Sequence, residues 1–91
     1  MKYVYKASEQ YWKNFYELSA SQKASARYAW GIFKENPFDP RLKSHKINYL
    51  SAEAKRTIWS AWVEDNMRVV FYIKGNTVFT VDIGTHKMYL E

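Results

Sequence analysis

The chain has no cysteine, only three glycines and two prolines, and no long apolar run. Without cysteine, disulfides and thiolate metal sites are excluded, and a reducing compartment is compatible. No stretch approaches the roughly 18 apolar residues of a membrane span. Met1-Lys2-Tyr3-Val4-Tyr5 enters a strand-like pattern at once, so no signal peptide is expected. There is no internal repeat or low-complexity segment, and the aromatic content argues against disorder.

What is present is a single expected domain, 1–91, with 47% hydrophobic and 19% aromatic residues. A chain of this length buries only about 60–65% of its unfolded surface, so its core is small and aromatic side chains are left over for a surface. Lys and Arg number 14 against 9 Asp and Glu, a net charge of +5. Such an excess suits a polyanion or an acidic protein partner, and equally an ordinary solubility charge.

Alternation around Tyr3, Val4 and Tyr5 predicts a first strand over 2–7. Ser8 is a good N-cap for a helix running to about Leu18, with Tyr11, Phe15 and Leu18 as its buried stripe and Trp12 and Tyr16 at the flanks. Ser21 caps a second helix over 22–35, with Ala26, Ala29, Trp30 and Phe33 on its apolar face; the short connection makes the two antiparallel. Asn36-Pro37 stops this helix, because a residue before proline avoids helical angles. Pro37-Phe38-Asp39-Pro40 reads as a rigid loop. Arg41-Leu42-Lys43-Ser44-His45-Lys46 is the densest basic run. The stretch 47–56 reads equally as a loop or as a helical turn opened by Ser51-Ala52-Glu53.

From Thr57 onward the pattern is strand, turn, strand, turn, strand, centred on the hairpin 67–86. The expected fold class is therefore α+β: an N-terminal strand, an antiparallel helix pair and a three-strand antiparallel meander packed on the helices. Loop length decides which side chains share a face. The more apolar set is Trp59, Ala61, Val63, then Met67, Val69, Phe71, Ile73, then Phe79, Val81, Ile83. Direct pairing of these sets needs the three-residue loops Glu64-Asp65-Asn66 and Lys74-Gly75-Asn76, each ending in an asparagine with positive φ. Two-residue loops are locally as good but mix the faces. The odd loops put Ser60, Trp62, Arg68 and Asp82 on the opposite face, with Trp62, Arg68 and Asp82 abreast. A guanidinium beside an indole and a carboxylate is pre-organised for an anion. A cross-strand surface pair worth well under about 1 kcal/mol is the plainer account.

The two histidines are His45, in the basic run, and His86, after the last strand. Histidine serves as acid or base near neutral pH, and either also reads as an ordinary surface residue. Without cysteine or a carboxylate pair beside them they give no ground for a metal. No phosphate-cradling glycine loop, nucleophile elbow or paired catalytic carboxylates stand out.

Four phrases in order carry a resemblance: Glu35-Asn36-Pro37, Leu42-Lys43-Ser44-His45-Lys46, Arg68-Val69-Val70-Phe71 and Ile83-Gly84-Thr85-His86. With the strand, helix pair and meander, nearly the whole chain resembles the RelE/ParE toxin superfamily, in its RelE- and YafQ-like branches. The resemblance implies a cytoplasmic bacterial toxin that cuts mRNA in the ribosomal A site without metal or other cofactor and is silenced by a cognate antitoxin. It implies Arg68 on the reacting phosphate, His86 and His45 as acid and base in an unassigned order, and Tyr89 as the C-terminal aromatic that stacks on a base, closer to His86 than the usual spacing. Lys43, Lys46 and Arg41 would draw in the RNA backbone. Ser60 and Trp62 stand where active relatives carry basic or histidine side chains; Trp62 would stack a base instead. The same fold also implies a ParE-like gyrase inhibitor, or a binding domain without catalysis.

Overall fold

The computed structural model describes residues 3–85. Strand β1 (Val4–Ala7) precedes helices α1 (Glu9–Tyr16) and α2 (Ala20–Phe33). A 3-10 turn (Pro40–Leu42), a two-residue strand β2 (His45–Lys46) and helix α3 (Asn48–Ala54) follow. The meander β3 (Trp59–Glu64), β4 (Met67–Lys74) and β5 (Thr77–Thr85) completes it. One five-stranded sheet has the order β1-β5-β4-β3-β2. β1 runs parallel to β5, which the long intervening chain permits, and the other pairs are antiparallel.

Local chemistry explains the helix ends. Ser8 Oγ accepts the Tyr11 amide at 3.0 Å and opens α1. α2 begins two residues earlier than Ser21 would allow, because Ser19 and not Ser21 is its cap. Ser19 has Gln22 three residues on, and the two make a reciprocal capping box at 3.1 and 2.9 Å. Ser21 has Ala24 at that position and no such partner. α2 ends at Phe33, two residues before the expected end, and turn bonds from the Ile32 carbonyl to the Glu35 and Asn36 amides carry the chain to Pro37.

The core lies between the helix pair and the sheet. Phe15, Ala26, Ala29 and Phe33 meet Ala61, Phe71, Val78 and Ile83, with Phe33 and Phe71 edge-on at 4.9 Å. Tyr5 joins from β1, packs edge-on against Trp30 and donates to the Phe33 carbonyl at 2.7 Å. Burial pushes its hydroxyl up to about 12. The ambiguous stretch resolves into α3 and folds over the other face. There Ile47, Ile58 and Val70 form a second small core, and Ser51 Oγ accepts the Ile58 amide at 2.8 Å. That face is therefore covered at its centre, and Ser60 is 0% exposed.

The register departs from the three-residue loops. β3 and β4 pair Trp59 with Phe71, Ala61 with Val69 and Trp62 with Arg68, as expected, but the hairpin closes Glu64 on Met67 through Asp65-Asn66 with an irregularity between Trp62 and Glu64. The second hairpin closes Lys74 on Thr77 through Gly75-Asn76, with Gly75 at φ 64. A glycine takes positive φ without a Cβ penalty, so the shorter turn prevails over one that needs it at Asn76. Phe79 consequently pairs with Tyr72, where their rings stack at 4.9 Å, and Val78 takes the core position. Phe79 and Val81 are thus on the face opposite to the expected one.

A one-residue shift between Val70 and Phe71 then leaves Val81 as a bulge and returns Ile83 to the core opposite Val69. Asp82 pairs with Val70, and Arg68 with Gly84. The expected row of Trp62, Arg68 and Asp82 is not formed: the Asp82 carboxylate accepts from the Asn14 amide and from the Ile83 backbone at 2.8 Å.

Ser8 ties these features together, since its hydroxyl also donates to the Val81 carbonyl at 2.6 Å. Ser8→Ala removes a cap and the partner of the bulge, and should lower unfolding free energy by about 2 kcal/mol. Ser19→Ala should cost about 1 kcal/mol and Ser21→Ala close to nothing, as read from urea unfolding midpoints.

Candidate functional site

The 3-10 turn is braced before it reaches the site. Asp39 caps it through the Arg41 amide at 2.9 Å, Leu42 is buried, and Ser44 Oγ donates to the Pro37 carbonyl at 2.6 Å. Lys43 closes the turn in the left-handed region at φ 47. Its ammonium lies 4.9 Å from the centre of the Trp62 ring. Trp62, on β3, donates Nε1–H to the Asp65 carbonyl at 2.9 Å. Arg68, its partner across β4, donates Nη1–H to the same carbonyl at 3.0 Å and to the Met67 carbonyl at 3.3 Å. Asp65 is itself left-handed at φ 43. Lys43, Trp62, Asp65 and Arg68 thus form one corner at the β3–β4 turn.

His45 follows on β2, exposed, paired in register with Ser60, its Nδ1 3.2 Å from the Lys43 carbonyl. Lys46 is exposed on the same edge strand, opposite Trp59. Arg41 is engaged in a bidentate pair with Asp39, both bonds at 3.0 Å. That hydrogen-bonded pair holds Asp39 below the usual carboxylate range and raises Arg41. Ser60, paired with Val70, is fully buried and contributes no side chain to an open surface. β5 brings Thr85 opposite Met67, beside Arg68. His86 and Tyr89 lie outside the described residues.

Electrostatically the corner is cationic. Among the described residues no carboxylate pairs with Lys43 or Arg68, and no group of His, Asp and Glu is arranged to hold a metal. It has the donors to bind an anion by hydrogen bonds and charge, and the His45 imidazole beside it can transfer a proton. Sequence reasoning missed the Asp65 carbonyl, a backbone atom whose only signal is that Asp tolerates the left-handed region. A groove of about 450 Å³ is lined by Tyr5 of β1, Trp12 and Tyr16 of α1 and Arg27 and Trp30 of α2. Its signal was present in Trp12 and Tyr16, four residues apart on the flank of α1's buried stripe.

Comparison with solved structures gives the arrangement its context. Over 100% of both chains, it superposes on YafQ in the E. coli DinJ–YafQ toxin–antitoxin complex with a TM-score of 0.73 at 16% identity. The archaeal RelE of the RelE–RelB complex from Pyrococcus horikoshii OT3 matches with a TM-score of 0.71 at 13% identity, over 93% of this chain and 96% of that one. The chain has the fold of the RelE-like toxins. A YoeB/ParE toxin from Agrobacterium tumefaciens shares it, with a TM-score of 0.67 at 16% identity, covering 94% of this chain and 99% of the other. No family model matches, and no curated protein matches by sequence. Within this RelE-like fold the cationic corner sits at the turn end of β3 and β4, beside the last residues of β5.

The left-handed Asp65 supports a direct test. Asp65→Val places a β-branched residue in that conformation and should cost about 1–3 kcal/mol, whereas Asp65→Gly should leave stability unchanged or raise it by up to about 1 kcal/mol. Equilibrium unfolding of the two variants beside wild type measures the difference.

Proposed function

We propose that the protein is the toxin of a bacterial toxin–antitoxin pair and acts as a metal-independent endoribonuclease on mRNA in the ribosomal A site. The observation that carries this reading is the corner of Lys43, Trp62 and Arg68 with His45 beside it, on a RelE-like fold. RNA cleaved through its own 2′-hydroxyl needs a base for that hydroxyl's proton, cations for the charge that builds on the phosphate, and an acid for the departing 5′-oxygen. Arg68 serves as the phosphate-stabilising cation. His45 and His86 serve as base and acid, and Tyr89 stacks on a substrate base. Lys43, Lys46 and Arg41 hold the backbone, Arg41 after release from Asp39, and Trp62 completes the binding surface. A cognate antitoxin is the partner; the RelE and YafQ structures in the comparison were solved with RelB and DinJ. The working compartment is the cytoplasm. No described helix is long and apolar enough to cross a membrane.

A second reading, a ParE-like gyrase inhibitor, is favoured by one specific observation. Ser60 is buried, and Trp62 rather than a basic residue occupies the remaining strand position. In a reconstituted translation assay, Arg68→Ala should lower the cleavage rate by a factor on the order of 10²–10³. Inhibition of supercoiling without RNA cleavage by the wild-type protein would instead select the gyrase reading.

A further inference from the structure

We infer that Trp62 is a positioning residue: its indole seats the Lys43 ammonium on one ring face and shares the Asp65 carbonyl with Arg68, so that two cations from separate segments are presented together to the substrate backbone. The inference rests on the reading of the corner as an RNA-binding site and changes what Trp62 does there. A free indole face would stack a base. Here a face is taken, because the Lys43 ammonium stands 4.9 Å from the ring centre, within the range of cation–π attraction.

The edge of the same ring is also engaged. Trp62 Nε1–H and Arg68 Nη1–H converge on one oxygen, at 2.9 and 3.0 Å, and the cross-strand pairing of the two residues sets their spacing. Arg68's hydrogen bonds to described residues all come from Nη1, and a guanidinium has five N–H donors, so it keeps donors for an anion.

The backbone at both contacts points the same way. Lys43 and Asp65, neither of them glycine, are left-handed at φ 47 and 43. Such conformations persist where the surroundings over-determine them, and they cluster at binding sites. At Lys43 the surroundings are the buried Leu42 and the Ser44 bond to Pro37. Among the described residues neither cation has a carboxylate partner to neutralise it. The strand position that faces the substrate therefore carries no charge of its own and borrows one from the preceding turn.

Binding of a 2′-O-methyl RNA oligonucleotide, which cannot be cut through its 2′-oxygen, tests this by fluorescence anisotropy over a range of salt. For single strands each phosphate contact adds about 0.7 to the slope of log Kd against log salt. Lys43→Met and Trp62→Leu should each lower the slope by about that amount. The double variant should lose no more than either single one, since both remove the same contact. Trp62→Phe keeps a ring face for Lys43 and should restore the slope lost in Trp62→Leu.

A weaker Kd with unchanged slope in Trp62→Leu, additive to Lys43→Met, would make Trp62 a base-stacking residue and overturn the inference. An unchanged slope in Lys43→Met overturns it even if Trp62→Leu fails to fold. So does a wild-type protein that does not bind the oligonucleotide. Slopes as expected in a protein that cuts no translated mRNA would defeat the nuclease reading while leaving the positioning role standing.

Discussion

The register between β4 and β5 shifts by one residue at Val81, and both faces of the sheet are assembled around that shift. Side chains alternate across a strand, so a slip of one residue exchanges the faces. From the Gly75-Asn76 turn the pairing sets Val78 on the helix side and stacks Phe79 on Tyr72 on the other. Carried to the end of β5, that pairing would turn Ile83 out of the core. The bulge prevents this, and Ser8, which also caps α1, supplies a hydrogen-bond donor to its carbonyl. A single hydroxyl thus couples the start of the helix pair to the end of the sheet where Arg68 and Gly84 face each other.

The two cores divide the labour. The larger one, around Phe33 and Phe71, fixes the helices on the sheet. The smaller one, around Ile47, Ile58 and Val70, closes the middle of the other face. One end of that face is the cationic corner. Its cations come from a turn and from a strand, and they are held by an aromatic ring and a backbone carbonyl rather than by carboxylates, so their charge stays available to an anion.

Much of this was legible in the residues. Apolar spacing placed the strands and the helix pair, Ser8 and Asn36-Pro37 marked real boundaries, and the β3–β4 pairing of Trp62 with Arg68 followed from keeping apolar residues on one face. The β4–β5 register did not follow, because keeping the apolar residues on one face pointed to the three-residue loop, whereas the positive φ at Gly75 favours the two-residue one. A bulge that satisfies both the turn and the core leaves no mark of its own in the sequence. The cap at Ser19 was legible in Gln22 and was passed over for Ser21. The face-to-face meeting of Lys43 with Trp62 depends on a left-handed lysine, which no residue preference announces. α3, which packs Leu50 on the second core, had one helical turn as its only local signal.

An RNA-cutting centre built around Arg68 on this RelE-like fold is the proposal on which the function stands. It is tested most directly by expressing the full chain in a bacterial host and mapping mRNA 5′ ends after induction. Sharp new ends within translated codons are expected for the wild-type chain, and their loss in a chain carrying Arg68→Ala and His86→Ala together. Growth arrest without new ends, or the same ends and the same arrest from the double variant, would contradict it.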